Sequence, residues 1–285
     1  MLHARIAETG GDIAHRNPGP WVPRMLDASP DGRVVIEWRQ GERLLVARLR
    51  PDGGGASQLA LLRTLSSIRT RTLRVPEPVT WLEGSRALVT GPAQGRSCRE
   101  LDPETDLDAF ERIGRALSEL HNLDMIAGPA RRLLDHLDDL IMPTPRVLAA
   151  ALPQHARVIG RVLARLERQG WVATPVVSLN RDLRPSNLID DGVHVTLHDW
   201  DHAATGDPAF DVGDFIGHVR RRWPEDGAEA AIEAFRRGYG GPHALWTRVP
   251  IYEQVHLLRA ACRCFRMQAS GWQDELESLL DRLDD

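Results

Sequence analysis

Between Ser178 and Phe215 the chain reads SLNRDLRPSNLIDDGVHVTLHDWDHAATGDPAFDVGDF. This places Asp182, Asn187, Asp199, Asp201, Asp207, Asp211 and Asp214 in and around loops that flank a short hairpin. Asn187 stands just before the hairpin and Asp199 just after it. A hairpin returns its chain to where it began, so these two side chains are expected to be neighbours. Their oxygens suit a hard cation such as Mg²⁺, which takes few protein oxygens and leaves room for phosphates and water. Asp182, five residues before Asn187, then faces the same space with a free carboxylate. A carboxylate beside a metal-bound phosphate, but not on the metal, can accept or orient a hydroxyl proton. That is the requirement of phosphoryl transfer.

These side chains need a scaffold. Residues 33–38 (RVVIEW) and 43–49 (RLLVARL) predict two strands, and LRVPEPVTWL and SRALVT predict two more around EGS. Residues 58–68 carry Leu59, Leu62 and Leu65 on one side and predict a helix. GPAQG at 91–95 breaks the pattern as a linker. Beyond it, helices are predicted over 107–122, 158–169, 228–238, 252–268 and 274–283. VVS, NLI and VHVTL predict short strands, the last two joined by DDG, whose Asp-Gly suits a tight turn. The expected organisation is α+β and bilobal: a small β-rich lobe over 1–90, a hinge at 91–97 and a larger, mostly helical lobe over 98–285.

The 285 residues carry a net charge of −4, which gives no reason to expect a nucleic-acid partner. All 36 basic residues are arginine. With no lysine, a P-loop and every lysine-dependent mechanism are excluded. Residues 1–99 hold 15 Arg against 9 acids and residues 100–285 hold 21 Arg against 31, so a basic first part precedes an acidic second part. Cys98, Cys262 and Cys264 imply neither a disulfide framework nor a zinc site. No apolar run spans a bilayer and the start has no apolar leader core, so a cytoplasmic protein is expected. Oligomeric state is not legible.

The spacing Asp182-x4-Asn187 followed by Asp199 is similar to a kinase catalytic loop and its metal-binding aspartate. The closer resemblance is to the aminoglycoside phosphotransferase/choline kinase-like family. There the loop reads His-Gly-Asp-Leu-His-Pro-Gly-Asn, then Ile-Asp-Trp, then Gly-Asp-Pro-x-x-Asp. This chain has Asn180-Arg-Asp-Leu-Arg-Pro-Ser-Asn187, then His198-Asp-Trp200, then Gly206-Asp-Pro-Ala-Phe-Asp211. LVAR, LVTGPAQGRS and GRALSELHNL follow the family order, so the resemblance runs from about Val22 to near the end.

The resemblance implies a protein-kinase-like fold and roles by position. Asp182 corresponds to the catalytic base, and Asn187 and Asp199 to the magnesium ligands. Thr90 and Pro92 lie in the hinge that meets the adenine. Gly32 lies in the turn over the phosphates, and Asp211 corresponds to the aspartate that braces the loop. Two departures stand out. Arg48 replaces the third-strand lysine that grips the phosphates, with Arg50 on the same side as its substitute. Gln58 replaces the helix glutamate that holds that lysine. Asp201 reads either as a surface residue or as a substrate or second-metal contact, and Asp207 as a helix N-cap. The resemblance implies an ATP- and Mg²⁺-dependent O-phosphotransferase acting on a small-molecule hydroxyl. Aminoglycoside-like, other amine or sugar acceptors are expected. Alternatives are a kinase for Ser/Thr of a peptide and a pseudokinase that binds without efficient turnover.

Overall fold

The computed structural model describes residues 20–28, 34–50, 52–139, 142–169 and 174–284, so Gly32 lies outside the described residues. In chain order the first elements are β1 (Val22–Ala28), β2 (Val34–Gln40), β3 (Arg43–Leu49), α1 (Gly55–Ser67), β4 (Leu73–Arg74), β5 (Pro78–Leu82), β6 (Ala87–Thr90) and β7 (Arg96–Ser97). Then come α2 (Leu107–His121), α3 (Asp135–Asp139), α4 (Pro145–Ala151), α5 (Ala156–Gln169), β8 (Val177–Leu179), β9 (Leu188–Asp190), β10 (Val195–Leu197) and β11 (Ala204–Gly206). The chain closes with α6 (Ala209–Arg222), α7 (Glu225–Tyr239), α8 (His243–Trp246), α9 (Val249–Met267) and α10 (Trp272–Asp284).

Two compact units result. One comprises residues 1–96 with 189–201, and the other residues 97–188 with 202–285. The sequence-expected boundary at 91–97 is close to the first crossover. The hairpin, however, belongs to the first unit and not to the helical one. The reason is a strand pairing: Val195 and Thr196 of β10 pair in parallel with Leu73 and Arg74 of β4. The same pairing divides the expected LRVPEPVTWL strand, whose first half joins β10 while the second half becomes β5.

In the first unit an antiparallel sheet has the order β1-β2-β3-β6-β5. β1 is a strand that the sequence pattern did not indicate, and all its residues are exposed. Without an alternating apolar face it carries no period-two signal. Trp21, Trp38, Ala47, Leu82, Ala87 and Val89 form the core on one face of this sheet. Leu59, Leu62 and Leu65 are buried along α1, at the helical spacing expected.

In the second unit α2 packs on α7 and α9 on α6. The α2–α7 approach depends on glycine. A Cβ at Gly114 would come within 2.1 Å of the Phe235 carbonyl oxygen, and one at Gly238 within 1.9 Å of the Glu111 carbonyl oxygen. Phe110, Phe210, Phe215 and Phe235 are fully buried in this unit. β8 pairs with β11, Leu179 opposite Ala204, and delivers the chain to the loop that carries Asp182. α6 was marked in the sequence only by the cap reading of Asp207 and not by an apolar period, because buried Asp211 and Asp214 interrupt its pattern.

Candidate active site

The loop after β8 is held from below by α6. Asp211 accepts the Asn180 amide through Oδ2 and the Arg181 amide through Oδ1, each at 2.9 Å. The same carboxylate meets His121 Nε2 at 3.3 Å, and His121 Nδ1 meets the Tyr239 hydroxyl at 2.8 Å. Asn180 Oδ1 in turn accepts the Asp182 amide at 3.1 Å. Four of the loop's polar groups are thus tied before its functional side chains begin.

Arg181 stands where the family loop has glycine, and it adopts φ +68°. A left-handed backbone costs a residue with a Cβ about 1–2 kcal/mol. Here the Asp211 bond, a 3.2 Å hydrogen bond from Nε to His136 Nδ1 and the guanidinium's place 5.9 Å from the Phe210 ring hold the conformation. Burial, then the Arg181 charge, holds His136 well below the usual histidine range, so it is a neutral acceptor.

Asp182 is 5% exposed. Its Oδ2 accepts from Arg184 Nη2 at 2.5 Å and from Asn187 Nδ2 at 3.0 Å. Asn187 Nδ2 also donates to the Asp182 carbonyl at 2.9 Å. The amide nitrogen of Asn187 is therefore committed to the loop, and its oxygen is the atom left to meet a cation. Arg184 is a partner the sequence reading missed. Its only signal was a basic residue two places after the aspartate.

One further aspartate braces the loop. Asp214 accepts the Leu183 amide at 3.2 Å, His256 Nδ1 at 2.9 Å and Arg259 Nη1 at 3.0 Å. Burial alone would raise its carboxyl, but the Arg259 charge and the His256 hydrogen bond hold it far below the usual carboxylate range. Asp207 accepts the Ala209 amide at 3.0 Å, but the N-cap of α6 is Pro208, so the expected cap residue stands one place before it and caps nothing in the usual N2/N3 manner. It also takes a two-pronged contact from Arg248 at 2.7 and 2.9 Å.

The first unit holds the other predicted residues. Arg48 does not meet Gln58, which corrects the expected pairing. Its Nη2 lies 3.1 Å from His198 Nδ1. Burial, reinforced by the Arg48 charge, pushes His198 down to about 3, so the imidazole is neutral and accepts. The Gln58 partner is Arg50, whose Nη1 donates to Gln58 Oε1 at 2.7 Å and also pairs with Asp201. Gln58 Nε2 donates to the same Asp201 oxygen at 2.7 Å. The physical reason is reach: Arg50 follows the end of β3 and faces the first turns of α1, whereas Arg48 faces the His198 end of the hairpin. Asp201 is thus an ion-pair partner with a mostly buried side chain and not a surface residue. It supplies the carboxylate that α1 lacks.

Asp199 follows at φ +52°, an uncommon backbone for a residue with a side chain. Thr90 ends β6, paired with Val46, and its buried hydroxyl has no hydrogen-bond partner among the described residues. Pro92 follows, half-buried.

The Arg50 cluster can be tested by melting the protein without nucleotide. Arg50→Ala removes the guanidinium that is hydrogen-bonded to both Asp201 and Gln58. It is expected to cost about 2–3 kcal/mol, below the full cost of breaking a wholly buried pair. Gln58→Ala removes neutral hydrogen bonds and should cost about 1 kcal/mol. Equal melting temperatures for Arg50→Ala and wild type would show that the cluster does not brace the sheet against α1.

Comparison with known proteins agrees with this architecture. Residues 24–252 match the Phosphotransferase enzyme family. No curated protein sequence is similar enough to match the chain. Among solved structures, a choline/ethanolamine kinase family protein from Mesorhizobium loti is 20% identical with a TM-score of 0.64, over 93% of this chain and 87% of that one. A thermostable mutant of aminoglycoside phosphotransferase APH(4)-Ia is 16% identical with a TM-score of 0.69, over 93% and 94%. Amicoumacin kinase hAmiN, solved in complex with AMP-PNP, Ca²⁺ and Ami, is 11% identical with a TM-score of 0.67, over 92% and 88%. With its β-sheet unit, its helical unit and a family match across most of its length, the chain belongs to the phosphotransferase enzyme family, as a kinase of protein-kinase-like fold that acts on a hydroxyl acceptor.

Proposed function

We propose that this protein transfers the γ-phosphoryl group of ATP to a hydroxyl of a small molecule, with Asp182 as the base. The observation that carries this reading is the state of Asp182. It is a nearly buried carboxylate on a loop pinned by Asp211 and Asn180, with Oδ2 engaged by Arg184 and Asn187. Among the described residues Oδ1 takes no hydrogen bond, so it is the oxygen available to a substrate hydroxyl. In the reaction the acceptor oxygen bonds to the γ-phosphorus while the bond to the β–γ bridging oxygen breaks. ADP leaves and the hydroxyl proton passes to Asp182.

The donor chemistry fits magnesium. Asp199 offers a carboxylate and Asn187 an amide oxygen whose nitrogen is already bound, both hard ligands of the kind Mg²⁺ takes. Assigned by their motif positions, these two residues would hold the ion, which when bound neutralises charge on the β- and γ-phosphate oxygens. Arg48 is assigned to the phosphates, and the Thr90–Pro92 segment to the adenine. The unpartnered Thr90 hydroxyl supports a polar ligand at that position. The hAmiN complex with AMP-PNP and Ca²⁺ supports nucleotide and divalent cation on this fold.

The test is thermal shift with ATP, with and without Mg²⁺, followed by ADP release over sugars, amines, hydroxy acids and peptides. Acceptor-dependent ADP release is expected from a small molecule. Stabilisation by ATP with no release on any acceptor would make the protein a binding module instead. Asp199→Ala should remove the Mg²⁺-dependent part of the ATP stabilisation. If calorimetry gave an unchanged Mg-ATP affinity for this variant, Asp199 would not be the metal ligand.

A further inference from the structure

In the second unit a cleft of about 400 Å³ is lined by Arg99, Arg184, Arg221 and Arg222, with His218 and the turn at Pro185. Among the described residues no carboxylate lines it. This is the reverse of what composition suggests, because residues 100–285 carry 21 Arg against 31 acids. The basic lining is therefore a local arrangement and not the average of residues 100–285.

The cleft adjoins the proposed base through Arg184, whose Nη2 lies 2.5 Å from Asp182 Oδ2. Arg222 Nη2 donates to the Arg99 carbonyl at 2.6 Å, which ties the α6 end to the segment after β7. Arg221 is paired with exposed Glu275 at 2.7 Å. The third nearby carboxylate, Asp214, is already held by Arg259 and His256. His218 adds no charge, because burial and the neighbouring His256 keep it well below the usual histidine range. Arg263 on α9 interacts with Arg184, Asp182 and Arg221 and extends the positive field. Against Asp182 and Glu275 the cleft thus gathers four guanidinium groups, and positive charge dominates.

We propose that this cleft receives the phosphoryl acceptor, and that the acceptor is a hydroxyl compound bearing an oxyanion, either a phosphate monoester or a carboxylate. Guanidinium groups present planar forks that match these oxyanions in two-pronged geometry. A polyamine in the same place would face four like charges with no lining carboxylate to pair with. An oxyanion also competes with Asp182 Oδ2 for Arg184, drawing the guanidinium away as the substrate arrives. The proposal rests on the reading of Asp182 as the base. It differs from the aminoglycoside-like, other amine or sugar acceptors that the resemblance implies.

Calorimetry with inorganic phosphate, tartrate and kanamycin as probes tests it, with and without AMP-PNP. The proteins are wild type, Arg99→Ala/Arg222→Ala, Arg222→Gln and Arg48→Ala. Phosphate and tartrate should bind wild type in the presence of AMP-PNP, and kanamycin should not. The double variant should weaken phosphate by about tenfold or more, as loss of charge-assisted contacts implies, with Arg222→Gln intermediate. Arg48→Ala should leave phosphate binding intact. The proposal is overturned by kanamycin binding in preference to the anions, by no anion binding at all, or by phosphate affinity unchanged in the double variant. It is equally overturned if AMP-PNP or Arg48→Ala abolishes phosphate binding, since the anion then occupied a nucleotide position. Failure of the kinase reading looks different: AMP-PNP itself does not bind, while phosphate still reports on the cleft.

Discussion

Asp182→Asn is expected to lower turnover by roughly 10²–10⁴, the range of a general-base contribution. The substitution keeps the shape of the side chain and an oxygen that can still accept from Arg184 or Asn187. The loop is pinned by Asp211 and Asn180, neither of which depends on the Asp182 charge. Folding and nucleotide affinity should therefore change little, and the loss should appear in kcat. The measurement is ADP release at saturating nucleotide beside a nucleotide Kd for the same preparation. A variant that turns over within a few-fold of wild type would remove Asp182 from the chemistry. One that loses nucleotide affinity to the same extent would make Asp182 a structural residue of the loop.

The second large effect concerns stability. Asp214→Ala strips the carboxylate from Arg259 and His256 and leaves the Leu183 amide without its acceptor. Breaking a buried pair by removing one partner costs about 3–5 kcal/mol. For a chain of this size that corresponds to a fall of roughly 10 °C in Tm. The pH dependence has a definite sign. The folded carboxyl is held far below its unfolded value of about 3.9, so its contribution is fully present above about pH 5. It is lost as pH falls through 3.9 towards the folded value. Melting curves from pH 7 to pH 2 should show the gap between wild type and Asp214→Ala closing as the medium becomes acid. A gap that stayed constant across that range would mean that the Asp214 charge is not the stabilising element.

The candidate site was legible without coordinates, because it sits in a local motif. Asp182, Asn187 and Asp199 are marked by their spacing across a hairpin. Asp211 is marked by the Gly206-Asp-Pro-Ala-Phe-Asp211 run, and in the structure it accepts the Asn180 and Arg181 amides. The helices with a clear apolar stripe were also legible to within a few residues. One example is Leu107–His121, whose buried Phe110, Ile113, Leu117 and Leu120 follow the helical period. A local sequence pattern reports what a residue does to its own turn of helix or its own loop.

Whatever depends on residues far apart in the chain was decided by the tertiary structure. The Arg50–Gln58–Asp201 cluster joins a strand end, a helix and a hairpin end separated by 143 and 151 positions, and no spacing rule could prefer Arg50 over Arg48. The sheet pairing of β10 with β4, which takes the hairpin into the first unit, joins two short segments with no pattern of their own. The cleft of Arg99, Arg184, Arg221 and Arg222 is the clearest case. Net charge is a sum over the chain, whereas a ligand meets only the side chains that line its site. The sequence by itself determined that residues 100–285 are acidic and carry a phosphoryl-transfer motif. Only the packing of α6 beside the loop and the segment after β7 decided that the surface next to Asp182 is basic.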